Sequence, residues 1–256
     1  MTSISQHFGL KSHPCDAVQG FVAGMECEIE SVRNPSENYS GFTTTTDGSL
    51  RNNGYEFISQ PLDKDVLLDC FKKLHATLQF HDKSEAFSPR TSTHVHINCR
   101  TLTPEQTKQL VMFYALFEEF FFSFVDPIRR SNIHCVPLTE TFLPATYARS
   151  LNVMIDNWHK YTALNLLPLV KLGTIEFRHL QGTNDPVVTR QWLSCLERLW
   201  TLAQKDIITA AALTDEEHLK RWWLYVFEEC PKVLALENSF HNIIKNNLMD
   251  VKLSLI

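Results

Sequence analysis

Four short stretches of the chain alternate polar and apolar residues with the period of a strand. In "GMECEIESV" (24–32), Glu26, Glu28 and Glu30 share one parity, while Met25, Cys27 and Ile29 hold the other. In "NGYEFIS" (53–59), Tyr55 and Phe57 oppose Glu56. In "THVHINC" (93–99), Val95, Ile97 and Cys99 oppose His94, His96 and Asn98; in "GTIEFRHL" (173–180), Ile175 and Phe177 oppose Thr174, Glu176 and Arg178. Each stretch therefore predicts a strand with one greasy and one polar face. Glu26 and Glu30 also stand one helical turn apart, and the β-branched and aromatic partners decide for strands.

Helices carry clearer boundaries. "TPEQTKQLVMFYALFEEFFFSFVDP" (103–127) offers Thr103 as N-cap, Pro104 at the first helical position and Gln106 in capping-box spacing, with an end near Pro127. Its stripe of Leu110, Phe113, Phe117, Phe121 and Phe124 predicts a core helix. A second helix starts at Asp185 and Pro186 and extends towards Ala211, and a third has Thr214 and Glu217 as its capping box. A shorter helix is predicted over 63–79, beginning at Asp63. Strands separated by long helices, some of them joined as hairpins, predict an α+β domain with the helices packed on one side of a sheet.

Composition narrows the function classes. The 256 residues are 44% hydrophobic, enough for a substantial core, and with 8 glycines, 11 prolines and no linker or repeat they read as one domain over 1–256. A formal net charge of −5 gives no electrostatic reason to expect nucleic acid or an anionic membrane as partner. Seven cysteines, with no CxxC pair and no even set, suit a reducing compartment. The N-terminus lacks a signal-peptide pattern, and the longest apolar stretch is interrupted by Glu118 and Glu119. A soluble cytoplasmic protein is the expectation.

A polar strand face normally meets solvent and carries Lys, Thr, Ser and Gln. These faces carry Glu, His and Arg with hardly a lysine. Carboxylates gathered on one sheet repel each other unless a cation lies among them, which makes a bound metal the economical explanation. Carboxylate oxygens with an imidazole suit Mg²⁺ or Mn²⁺ better than structural zinc. "HVHIN" alone is a weak signal, compatible with a metal-dependent hydrolase that uses His94 and His96 together. Glu176 and Arg178 form either an ion pair across one face or a seat for an anion. No glycine-rich phosphate loop and no GxSxG elbow occurs.

Taken in order, "GMECEIE", "DGSLRNNGYEFISQPL", "THVHIN", "IRRSNIHCVPL", "KYTALNL" and "GTIEFRHLQGT" resemble the amidoligase family, carboxylate-amine ligases that share the glutamine synthetase and glutamate–cysteine ligase fold. The likeness runs from residue 24 to 183; residues 184–256 read as a helical C-terminal part without a diagnostic motif. It implies a strongly twisted, mainly antiparallel sheet of the glutamine synthetase type, holding ATP and Mg²⁺ or Mn²⁺. By that resemblance Glu26, Glu28, Glu56, His96 and Glu176 match metal ligands, and Arg178 and Arg129 match residues that touch phosphate or an acyl-phosphate. Asp47 and Ser49 match a loop that contacts substrate, with Asp47 a proton acceptor, and Tyr161 and Asn165 match an element lining the cofactor site. Glu30 lies beyond the metal pair, and His134 stands where the family pattern has Tyr.

The activity so implied is ATP-dependent ligation. The γ-phosphoryl passes to a carboxylate, and an amine then displaces phosphate to leave an amide or isopeptide bond. Glu176, Arg178 and Asp47 are the catalytic candidates; the partners are a carboxylate and an amine substrate, small molecule or peptide, and an oligomer is compatible with the family. Two alternatives stay open: a non-catalytic nucleotide-binding or regulatory protein on the same fold, and the metal-dependent hydrolase.

Overall fold

The structure, a computed structural model, describes residues 2–255. In chain order it forms helix α1 (Ile4–His7), strands β1 (Val22–Ile29), β2 (Asn38–Tyr39), β3 (Phe42–Thr45), β4 (Tyr55–Ser59) and β5 (Leu62–Asp63), and helix α2 (Lys64–Thr77). Then come β6 (Thr93–Asn98), α3 (Pro104–Phe124), α4 (Leu151–Asp156), β7 (Leu164–Asn165) and β8 (Thr174–Phe177). The chain closes with α5 (Pro186–Lys205), α6 (Glu216–Phe227), α7 (Pro231–Leu234) and α8 (Phe240–Leu253).

All eight strands join one sheet in the order β2-β3-β4-β1-β6-β8-β7, with β5 paired to the start of β1. Every neighbouring pair is antiparallel, so the architecture is α+β with an antiparallel sheet and helices. The four strands legible from alternation, β4, β1, β6 and β8, are its contiguous centre. The two-residue strands β2, β5 and β7 are too short for a period of two to register.

Alternation separates the two faces as the pattern predicts. Met25, Cys27, Ile29, Phe57, Val95, Ile97, Ile175 and Phe177 are buried on the side that meets the long helices. There α3 supplies Tyr114 and Phe121, whose rings lie 5.8 and 6.4 Å from that of Phe177. α5 and α8 pack on α3, and α6 adds Trp222 against Phe113 at 4.9 Å and Trp223 against Phe120 at 5.4 Å. Each such fully buried aromatic contributes roughly 1.5–3 kcal/mol relative to exposure.

The caps explain where helices begin. Thr103 Oγ1 accepts from Gln106 N at 3.1 Å and Gln106 Oε1 accepts from Thr103 N at 2.9 Å, the predicted capping box. Asp63 caps α2 and Asp185 caps α5, also as predicted. Several boundaries differ, among them the end of α2 at Thr77, short of 79, and of β8 at Phe177, short of Leu180. α6 is capped by Asp215, which accepts from His218 N at 3.1 Å, because Thr214 donates its hydroxyl to Ala211 O and so closes the preceding turn instead. α5 ends at Lys205, short of Ala211, where Ile208 N is drawn to Gln109 Oε1 on α3 at 2.9 Å. β1 ends at Ile29, short of Val32, because Ser31 turns the chain at φ +59°. Among the described residues no helix is long and apolar enough to cross a membrane.

Candidate functional site

Residues directly opposed in an antiparallel pair point to the same side, so register alone gathers the polar face. Glu26 stands opposite His94, Glu28 opposite Glu56, and His96 opposite Glu176, which in turn faces Asn165. Asp47 arrives from the loop between β3 and β4. The result is two clusters. Ligand atoms of Glu26, His96 and Glu176 lie within 4.8 Å of one another, and so do those of Glu28, Asp47 and Glu56.

The first cluster has the chemistry of a cation site. His96 Nδ1 is 3.0 Å from Thr174 Oγ1, while its buried Nε2 lies 3.2 Å from Glu26 Oε1 without the alignment of a hydrogen bond. With the ring proton given to Thr174, the Nε2 lone pair points among carboxylate oxygens, the arrangement by which a hydroxyl or carbonyl neighbour prepares an imidazole for a metal. Glu176 is 4% exposed, accepts from Asn165 Nδ2 at 2.7 Å, and meets Arg178 Nη1 with its other oxygen. These residues fit a divalent cation.

Charge crowding is visible in the protonation of the face. Burial, reinforced by Glu26, Glu28, Asp47 and Glu176, pushes the Glu56 carboxyl up to about 7. For Glu26, burial alone would do the same, but the neighbouring His94 and His96 outweigh it and hold the carboxyl well below the usual range. His96 is moved up: burial opposes its charge, and Glu26 and Glu176 prevail.

The other expected residues divide. Arg178 is in the site, with Nε donating to His134 O at 3.0 Å and Nη1 on Glu176. Arg129, expected to touch phosphate, is buried; its Nε and Nη2 donate to the carbonyls of His179 and Arg178 at 2.9 and 2.7 Å. It straps the main chain that carries Arg178. Asn165 lies beside Glu176, to which its Nδ2 donates, and its Oδ1 accepts from Leu167 N at 3.1 Å. Asp47 shares the second cluster and caps its own loop by accepting from Ser49 N at 2.7 Å. Glu30 is 1% exposed and accepts from Arg51 N at 2.9 Å, with Arg90 Nε at 3.5 Å, so it braces two loops and joins neither cluster.

Three features had no readable signal. Ser92 precedes β6 at the parity of both histidines and bonds Glu28. A cavity of about 550 Å³ opens beside Glu26 and His96, walled by Leu10, Ile58, Pro61 and Leu172 with Lys11 and Lys171 among its lining. Arg100 holds its walls together, bonding Asp16 at 2.7 Å, Lys11 O at 2.6 Å and Leu172 O at 3.1 Å. Arg100 packs so closely on Gly173, at φ +73°, that a Cβ there would lie 2.4 Å from its Cγ. Residues 8–13 bear no motif, and only tertiary contact makes them a wall.

Comparison with known proteins bears on the same region. A family model described as "Putative amidoligase enzyme" matches residues 23–200, a span that contains both clusters and Arg178. No curated protein matches the sequence. Among solved structures, a bifunctional glutathione synthetase from Pasteurella multocida is similar over 91% of this chain and 48% of its own, at 10% identity and a TM-score of 0.46. The chain thus spans about half the length of that enzyme.

Proposed function

The chain belongs to the amidoligase family matched over residues 23–200, and on that premise we propose that it is an ATP-dependent ligase joining a carboxylate to an amine through an acyl-phosphate. The whole of 1–256 serves as one catalytic domain with a sheet of the glutamine synthetase type, in the cytoplasm. The observation that carries this reading is the pair of clusters side by side on β1, Glu26/His96/Glu176 and Glu28/Asp47/Glu56, with Arg178 bound to Glu176.

Phosphoryl transfer to a carboxylate brings two anions together, and the oxygens in transit accumulate charge. Mg²⁺ or Mn²⁺ held by the two clusters would neutralise the ATP phosphates and the acid. The protein's own part is positional. Asn165 and Arg178 fix the two oxygens of Glu176, and the guanidinium of Arg178 presents positive charge where phosphoryl oxygens would lie. Arg129 acts through the main chain beneath Arg178 and not on phosphate. Asp47 is a ligand of the second cluster in this reading, in place of the proton acceptor expected from sequence. The cavity beside Glu26, with apolar walls and two lysines, suits a nucleotide whose base is buried and whose phosphates reach His96.

The test is ADP formation with pooled acids and amines. Turnover should require Mg²⁺, an acid and an amine together, and should fall on the order of 10²–10³ in Glu176→Gln. If no mixture stimulates ADP release and ATP gives no thermal protection, this reading is lost. The hydrolase alternative has one observation in its favour, since His94 and His96 both approach Glu26. Stoichiometric zinc in the purified protein would favour it.

A further inference from the structure

Cys195 and Cys230 stand 35 positions apart in the chain and bring their Sγ atoms to 2.9 Å. Cys195 lies in the middle of α5, and Cys230 immediately precedes α7, at the corner that follows α6. Such a position favours a side chain whose oxygen caps the following helix. Cys230 makes no capping bond and turns its sulfur towards α5 instead, with Gln191 O also 3.8 Å away. Both cysteines are 1% exposed or less. To reach a disulfide length of about 2.05 Å, the two sulfurs need to approach by less than about 1 Å.

Side chains on either side of the pair hold the corner against α5. Ser194 Oγ donates to Glu229 Oε2 at 2.9 Å, Arg198 Nη2 donates to Glu229 Oε1 at 3.3 Å, and Arg198 Nη1 meets Glu228. These ties lie at the surface, with the Glu228 and Glu229 side chains 64% and 42% exposed, where ion pairs add little stability. The sulfurs are therefore aligned while the corner is closed and reachable when it opens locally. A cavity of about 330 Å³, lined by Lys72, Arg190, Gln191 and Glu229, opens over the same corner. Burial, with Cys230 beside it, holds the Cys195 thiol well above its ordinary range. Cys230, on the part that moves, is thus the sulfur that meets a reagent first.

We propose that Cys195 and Cys230 are a redox pair, closed to a disulfide by low-molecular-weight disulfides and reopened by thiols, that fastens the α6–α7 corner to α5. The Cys230 thiolate attacks one sulfur of the small disulfide, whose S–S bond breaks to release a first thiolate. The Cys195 thiolate then attacks Cys230 Sγ in the mixed disulfide and expels the second. The protein gives up two electrons and two protons, and the small disulfide leaves as two thiols. No part of this exchange uses ATP, a cation or the polar face of the sheet, so it stands apart from the ligase reading. Its effect falls on the C-terminal helices. Cys195 lies inside the matched span 23–200 and Cys230 beyond it, and the bond closes a 35-residue loop that contains α6.

The test treats the reduced, folded full chain with oxidised glutathione, blocks the remaining thiols with N-ethylmaleimide, and maps the peptides by mass spectrometry. Two of the seven thiols should be lost, with Cys195 joined to Cys230 and no glutathione retained, and dithiothreitol should restore both. The oxidised chain should melt roughly 5–15 °C above the reduced one. Cys195→Ala should abolish that shift and leave glutathione on Cys230. Seven thiols still free after prolonged exposure, a bridge that forms only in denaturant, or a bridge between other cysteines overturns the proposal. Glutathione held on Cys230 of the native chain without closure overturns it as well. The peptide map of the native chain needs no variant to fold.

Discussion

Phe177 and Glu176 are adjacent on β8, and they meet opposite surroundings. Phe177 turns to Tyr114 and Phe121 in the helical layer; Glu176 turns to His94, Asn165 and Arg178. Both are nearly inaccessible to solvent. The apolar side is favourable because burial removes hydrocarbon from water. The polar side is buried at a cost, visible in the raised Glu56, and such a cost persists where a site needs charge in place before its ligand arrives. One sheet thus has a face that stabilises the fold and a face that draws on that stability.

The largest expected effect tests the first face. Phe177→Ala should destabilise the fold by about 3–5 kcal/mol, read by chemical denaturation; a loss below about 1 kcal/mol would mean the helical layer can collapse onto the gap. Its neighbour should behave in reverse. Glu176→Gln should cost on the order of 10²–10³ in turnover, similar to removing one charge-stabilising group, with thermal stability unchanged or raised. A strongly destabilised Glu176→Gln would make that carboxylate part of the scaffold.

Glu118 sharpens the comparison, because it is a carboxylate on the apolar side. It lies in α3, fully buried, accepting from Tyr114 OH, Leu138 N and Thr139 N at 2.7, 2.7 and 3.1 Å. Burial outweighs these donors and pushes its carboxyl up from 4.5 to about 7. Folded chain therefore binds this proton more tightly than unfolded chain, and stability falls as pH rises through the interval between those values. The contribution is about 2–3 kcal/mol. The stability difference between native protein and Glu118→Gln should change by that amount between pH 4.5 and pH 7; an equal difference at both ends counts against it.

The smallest effect concerns Glu30, which shares the parity of Glu26 and Glu28 but braces loops. Glu30→Gln should cost about 1 kcal/mol of stability and leave turnover near native. Loss of activity at native stability would return it to the site.

Much of this division was legible in the chain. Alternation marked β1, β4, β6 and β8 and sorted their faces, and caps at Asp63, Thr103 and Asp185 marked three helix starts. Resemblance to a family added the expected roles of Glu26, Glu28, Glu56, His96 and Glu176, and the structure draws those residues together. What Arg129 and Asn165 bond was not legible, since the same guanidinium or amide serves ligand, side chain or main chain according to what lies within 3 Å of it: Arg129 donates to the carbonyls of His179 and Arg178, and Asn165 to Glu176. Nothing local distinguishes the two uses.

Periodicity is a local property, enforced by the geometry of one strand, and so the sequence by itself determined which residues face the helices and which face away. Register, closure of loops and the direction of each hydrogen bond depend on residues far apart in the chain. Long-range contact therefore sets Glu30 apart from both clusters, joins Asp47 to Glu28 and Glu56, makes residues 8–13 the wall of a cavity, and seats Ser92 between Glu28 and His94.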